Sequence, residues 1–324
     1  MLNGEWESSG ARLIVLYGRR RIGKTRLLLE FIRGREGVFY IAADSTPKQQ
    51  IGELKEKMAA YLKDPLLAQL EIADWNQLLE YFVKNVPDKR TYLVIDEFSY
   101  MIRSDKTILS TLQRLWDLKF SNTNIFIVLS GSHLGLMSKK VLSQSSPLYG
   151  RRSRDILLDK LSFSFTGDFS GMIFEDRAKL YMTIGGMPEY LLKASEYETF
   201  ADFIEREFFR KDGYFYREPY FIISQEFKEL KTYFSILNAI AYGSTRPGKI
   251  ANSVGIDARK IYPYRDNLIR LGFVERTVQI VSSRKAGIYT IKDNLFDFWF
   301  NFVHKHREQM ERGGFTLKSD KLSG

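Results

Sequence analysis

The chain has no cysteine. Disulfide frameworks and cysteine-based zinc sites are therefore excluded. Histidine is scarce too: only His133, His304 and His306 occur. The last two lie two residues apart on a predicted helix, so they point to different faces, which argues against a histidine metal site. No stretch is long and apolar enough to span a bilayer. Met1–Trp6 lacks the basic-then-apolar order of a secretory signal. The expected compartment is the cytoplasm, with no membrane partner.

What is present fits a globular protein. Apolar residues make up 44% and charged residues 27% of 324, enough for a real core and for about two or three domains. The net charge of +10 is uneven. Residues 221–324 carry 17 Lys and Arg against 10 Asp and Glu, which points to a polyanion partner for the last third.

The first half alternates short apolar runs with amphipathic stretches. Runs at Leu13–Tyr17, Val38–Ile41, Tyr92–Ile95, Ile125–Leu129 and Asp155–Leu158 suit buried strands. Helical patterns at Lys24–Arg33, Lys48–Leu62, Trp75–Asn85, Ile108–Leu118 and Leu134–Lys140 separate them. This predicts an α/β fold, a parallel sheet covered by helices on both faces. From about Phe165 the pattern turns helical: Asp176–Thr183, Pro188–Ala194 and Phe200–Arg210. A loop is expected at Lys211–Tyr220. Helices at Glu226–Ala241, Pro247–Val254 and Ala258–Leu271 follow, then strands Val274–Val281 and Ala286–Ile291 around the turn 282–285. Three helices and a hairpin make the plan of a winged helix-turn-helix.

Gly18-Arg19-Arg20-Arg21-Ile22-Gly23-Lys24-Thr25 fits G-x-x-x-x-G-K-[ST], with an apolar strand entering and a helix leaving. Such a loop curls its amide N–H groups around phosphates, and the helix N-terminus adds partial positive charge. Lys24 is expected on the β- and γ-phosphates, and the Thr25 hydroxyl on magnesium. Arg26, in the first helical turn, belongs to the same binding set. Tyr92-Leu93-Val94-Ile95-Asp96-Glu97 is an apolar strand ending in two carboxylates. Asp96 suits the magnesium, and Glu97 a general base for the attacking water. Ser130 and Ser132, after Ile125–Leu129, are candidates to sense the γ-phosphate or to hold the water if that strand lies between the other two. Helix capping by serine is the alternative. Arg151, in Pro147-Leu148-Tyr149-Gly150-Arg151-Arg152, is a candidate to stabilise transition-state charge or to face a partner. Gly185-Gly186-Met187-Pro188 is a hinge candidate.

Together these residues resemble the archaeal-type ATPase family of the STAND and AAA-like P-loop branch. The resemblance rests on Gly18–Thr25, Ile95-Asp96-Glu97-Phe98, Leu129-Ser130-Gly131-Ser132, Pro147–Arg152, Gly185-Gly186-Met187-Pro188-Glu189-Tyr190 and Asp293–Phe300. It implies an ASCE-type P-loop NTPase core over 1–164, a helical lid over 165–220 and a winged helix-turn-helix over 221–293. The aromatic segment over 294–324 then reads as the start of a further domain. A nuclease activity is not carried over, because residues 296–324 lack a strand-borne Asp followed by Glu-x-Lys. The adenine-side motif usual before the first strand is missing as well, so both ends read as trimmed.

The expected function is ATP binding with slow magnesium-dependent hydrolysis that drives a regulatory switch. The alternative is a nucleotide-binding or DNA-binding regulator with little turnover. Duplex DNA is a candidate partner through Arg259, Lys260, Arg265 and Arg270, with Tyr262 and Tyr264 between them. Arg246 and Lys249 flank the preceding helix, and Arg284 and Lys285 mark the wing tip. Tyr262, Leu268, Leu271 and Phe273 are expected in the module's own core. A second copy or a protein partner is the other open interaction, with Phe296–Val303 a packing helix or a sticky patch.

Overall fold

A computed structural model describes residues 1–278 and 287–312. The chain divides into two compact units, Met1–Asp159 and Lys160–Gly324.

Unit 1 is built on five strands: β1 (Arg12–Tyr17), β2 (Gly37–Ile41), β3 (Thr91–Asp96), β4 (Ile125–Gly131) and β5 (Arg154–Leu157). All pair in parallel in the order β2-β3-β4-β1-β5. The three central strands are buried on both faces, which is why they read as unbroken apolar runs. Successive side chains divide between two cores. Helix α1 (Leu2–Glu7) and α2 (Lys24–Ile32) cover one face, where Leu28 and Phe31 meet Ile14, Leu16, Val94, Phe126 and Val128. The other face meets α3 (Pro47–Leu62), the short α4 (Pro65–Gln69), α5 (Trp75–Asn85), α6 (Phe98–Ser104) and α7 (Thr107–Leu118). There Leu54, Phe82 and Leu112 pack with Leu13, Val15, Ile95 and Ile127. A one-turn α8 (Leu134–Leu136) runs into a π-helix, Met137–Leu142.

Unit 2 contains α9 (Thr166–Phe169), α10 (Phe174–Ile184), α11 (Pro188–Ala194), α12 (Phe200–Phe208) and α13 (Tyr214–Glu226). They are followed by α14 (Leu230–Ala241), α15 (Pro247–Val254) and α16 (Ile261–Arg270). An antiparallel hairpin comes next, β6 (Val274–Val278) with β7 (Gly287–Ile291), and then α17 (Asn294–Phe298) and α18 (Arg307–Glu311). The expected wing-tip residues Arg284 and Lys285 lie outside the described residues.

Two expectations are corrected here, and an open alternative is decided. Lys211–Tyr220 is not a loop: most of it forms α13, with Pro219 inside the helix. Pro219 supplies no amide, but burial of Phe215 and Tyr216 and stacking of Tyr220 on Phe234 at 4.7 Å hold the helix together. For the aromatic segment the packing reading holds and the sticky patch does not. Phe296, Trp299 and Phe300 are essentially fully buried within unit 2, and Trp299 Nε1 donates to Tyr216 O at 3.0 Å. Gly185-Gly186 forms a tightly packed turn. A Cβ on Gly186 would stand 1.7 Å from Leu161 O, and Leu161 N donates to Gly186 O at 2.8 Å.

Candidate functional site

The C-terminal edge of the sheet gathers four of the polar residues that unit 1 buries, Lys24, Asp96, Ser130 and Ser132. After β1 the chain passes through Gly18, where a Cβ would lie 2.4 Å from Leu158 O, so only glycine lets the loop approach the end of β5 this closely. Arg21 (φ 68°) and Gly23 (φ 88°) take left-handed conformations, and Gly23 caps α2. The positive φ at Arg21 costs of order 1–3 kcal/mol, a strain typical of functional loops. Lys24 is buried, and its Nζ donates to Gly18 O and Arg19 O, both at 3.0 Å. The ammonium thus folds over the curl of the loop.

Because β4 lies between β1 and β3, the P-loop helix crosses toward the end of β3. Thr25 Oγ1 donates to Asp96 Oδ2 at 2.5 Å. Asp96 is fully buried, and its other oxygen accepts from Glu97 N at 3.0 Å. Glu97 is left-handed (φ 52°) and starts α6. Its Oε2 accepts from Ser132 Oγ at 2.6 Å. Ser130 pairs in register with Leu16 and shares the strand parity of Phe126 and Val128, so it faces the α2 side, as Asp96 does. Its hydroxyl is buried with no protein partner.

These features suit a polyphosphate and a hard cation. A hydroxyl and a carboxylate are the oxygen ligands that magnesium prefers. Ser130 Oγ offers an uncommitted donor, and the close approach of Gly18 to Leu158 O seats the loop against the end of β5. Of the arginines, Arg20 Nη2 donates to Tyr100 Oη of α6 at 2.8 Å, a link that nothing in the motif spacing announces. His133 caps α8 by accepting from Leu136 N at 3.3 Å. Burial, then the nearby cations Arg103 and Arg20, hold its pKa below the ordinary value.

A family described as an ATPase domain predominantly from Archaea matches residues 2–194. The chain belongs to that family. An uncharacterized protein of Methanocaldococcus jannaschii is 33% identical over 323 residues, 99% of this chain and 70% of the relative. Among solved structures, this ATPase is similar to the Walker-type ATPase PABY2304 of Pyrococcus abyssi. The TM-score is 0.61 at 20% identity, covering 90% of this chain and 91% of that one. It is also similar to the ORC2 protein of Aeropyrum pernix, solved in ADPNP and ADP complexes. There the TM-score is 0.56 at 15% identity, covering 95% and 91%. Both likenesses establish the P-loop ATPase fold. Among the described residues no helix is long and apolar enough to cross a membrane.

The structure brings Gly18, Lys24, Thr25, Asp96, Glu97 and Ser130 of this ATPase to one edge, but not Arg151. Arg151 stands before β5, near the level of Leu13, because Ser153 N donates to Leu13 O at 2.8 Å. That is the N-terminal edge of a parallel sheet, a strand length of about 15–20 Å from the P-loop. There Arg151 grips Asp117 with two 2.7 Å bonds, a bidentate pair that fixes a surface turn. A contact with a γ-phosphate in the same chain is thereby excluded. Tyr262 is likewise corrected: it is about half exposed on α16, whereas Leu268, Leu271 and Phe273 are buried.

Proposed function

We propose that this ATPase domain binds MgATP at the Gly18–Thr25 loop and hydrolyses it slowly as a regulatory switch. The observation that carries the reading is the junction of Thr25 with Asp96 beneath the loop, with Glu97 beside it. In this reading the amides of 18–25 and Lys24 bind the β- and γ-phosphates, with Arg19, Arg21 and Arg26 adding positive charge at the mouth. Thr25 and Asp96 would hold magnesium, which when bound offsets charge on the phosphate oxygens. Ser130 donates to the phosphate side. Glu97 accepts a proton from the attacking water. Residues 165–220 would serve as a lid and 221–293 as a winged helix that responds to the nucleotide.

Calorimetry and turnover test this directly. K24A should abolish the heat of MgATP binding. E97Q should bind MgATP normally and lose turnover by about 10²–10⁴-fold. Unchanged turnover in E97Q would remove the enzymatic reading and leave a nucleotide-binding module.

Exposed Lys249 on α15, Arg246 just before it, and Arg259 and Lys260 just before α16 favour a second reading, contact with duplex DNA. Arg265 is not part of it, because it is spent on Asp266, on Tyr289 Oη and on the Tyr262 ring at 4.6 Å. Salt-dependent DNA binding lost in R259E/K260E supports this reading, and no binding at low salt removes it.

A further inference from the structure

The Ser130-Gly131-Ser132 string ends β4 with two buried hydroxyls in different circumstances. Ser130 Oγ has no protein partner. Ser132 Oγ, 1% exposed as a residue, is 2.6 Å from Glu97 Oε2. A serine hydroxyl carries one proton, so a hydroxyl that donates to Glu97 has none left for a phosphate oxygen. The bend that presents Ser132 is fixed by packing. A Cβ on Gly131 would meet Met137 Sδ at 2.5 Å and Ser99 Oγ at 2.8 Å, so the chain is wedged between the π-helix and α6. Glu97 is fixed at its backbone, by φ 52° and by its amide bond to Asp96 Oδ1. Those constraints set Cα and Cβ but leave the carboxylate free to rotate. The Ser132 hydroxyl removes that freedom.

We propose that Ser132 is the positioning residue for Glu97: its hydroxyl holds the carboxylate in the rotamer that meets the attacking water, and it does not bind the phosphates. This rests on the reading of Glu97 as the base. A base displaced by a fraction of an ångström loses much of its effect, whereas ATP binding does not depend on its rotamer.

The test is S132A in the full chain, with MgATP affinity by calorimetry, steady-state turnover and a melting curve. The expected result is a kcat lower by about 10–100-fold with an unchanged Kd and an unchanged melting temperature. S132T, which keeps the hydroxyl, should restore turnover to within about threefold of the starting protein. Wild-type turnover in S132A overturns the inference. So does a joint loss of turnover and MgATP affinity, which would make Ser132 a phosphate ligand. If S132A does not fold, S132C is judged by the same kcat and Kd. E97Q separates the two levels. Loss of turnover in E97Q but not in S132A sinks only the role of Ser132, whereas wild-type turnover in E97Q sinks the reading of Glu97 itself.

Discussion

The two units bury polar side chains for different ends. In unit 1 the buried Lys24, Asp96, Ser130 and Ser132 converge on the strand ends. One of them, Ser130, keeps a hydroxyl without a protein partner. In unit 2 the buried carboxylates serve as ties between elements. Glu218 accepts from Tyr190 Oη at 2.8 Å, joining α13 to α11. Glu207 accepts from Tyr197 Oη and, at 2.8 Å, from Tyr214 N, and it lies 3.4 Å from Lys193. Asp293 caps α17 through Phe296 N and pairs with Lys160 at 3.1 Å. A site that is to receive a ligand leaves capacity unfilled at some cost in stability, whereas these three carboxylates are all committed to partners. Two strings of similar sequence specificity, Gly18–Thr25 and Gly185–Tyr190, therefore differ in kind.

The largest test of this contrast is G186A. A Cβ driven into the Leu161 carbonyl should lower stability by about 3 kcal/mol or more in denaturant melts, because backbone cannot yield as a side chain does. MgATP affinity at temperatures where the variant is folded should be unaffected. Next is Y190F, which deprives the buried Glu218 of a donor and should cost about 1–3 kcal/mol while turnover stays normal. Loss of turnover with a normal melt in Y190F would break the contrast. S130A runs the other way. Removing a buried hydroxyl that no protein group satisfies should leave stability equal or raise it by about 1 kcal/mol, yet weaken MgATP binding.

The smallest effect is in pH. Burial, with Arg103 and Arg20 nearby, lowers the pKa of His133 in unit 1, and burial with Arg307 lowers that of His304 in unit 2. For each, the unfolded chain takes up the proton more readily, so the stabilisation is full above the ordinary value of 6.5 and is lost as pH falls below it. H133Q should flatten this acid slope in hydrogen exchange of unit 1 only, and H304Q in that of unit 2 only. Equal flattening in both units by either variant would show that the units do not respond separately.

The sheet of unit 1 was legible because strands buried on both faces must be apolar throughout, and because glycines, a lysine and strand-end carboxylates recur at spacings that the chemistry demands. Unit 2 was harder to read. Pro219 marked a break where packing of Phe215, Tyr216 and Tyr220 sustains a helix. The short helices α1, α4 and α6 were not anticipated, since pieces of one or two turns carry little periodicity. Arg151 resembled a catalytic arginine in sequence, and only the direction of β5 showed that it stands at the wrong edge.

Taken alone, the sequence determined the P-loop, the acidic strand end and the α/β alternation, because each is a local pattern imposed by backbone geometry or phosphate chemistry. Only the tertiary structure decided that β4 separates β1 from β3, that Ser132 rather than Ser130 holds Glu97, and that Gly186 is wedged rather than free. Strand order and side-chain pairing arise between residues far apart in the chain, where no spacing rule operates.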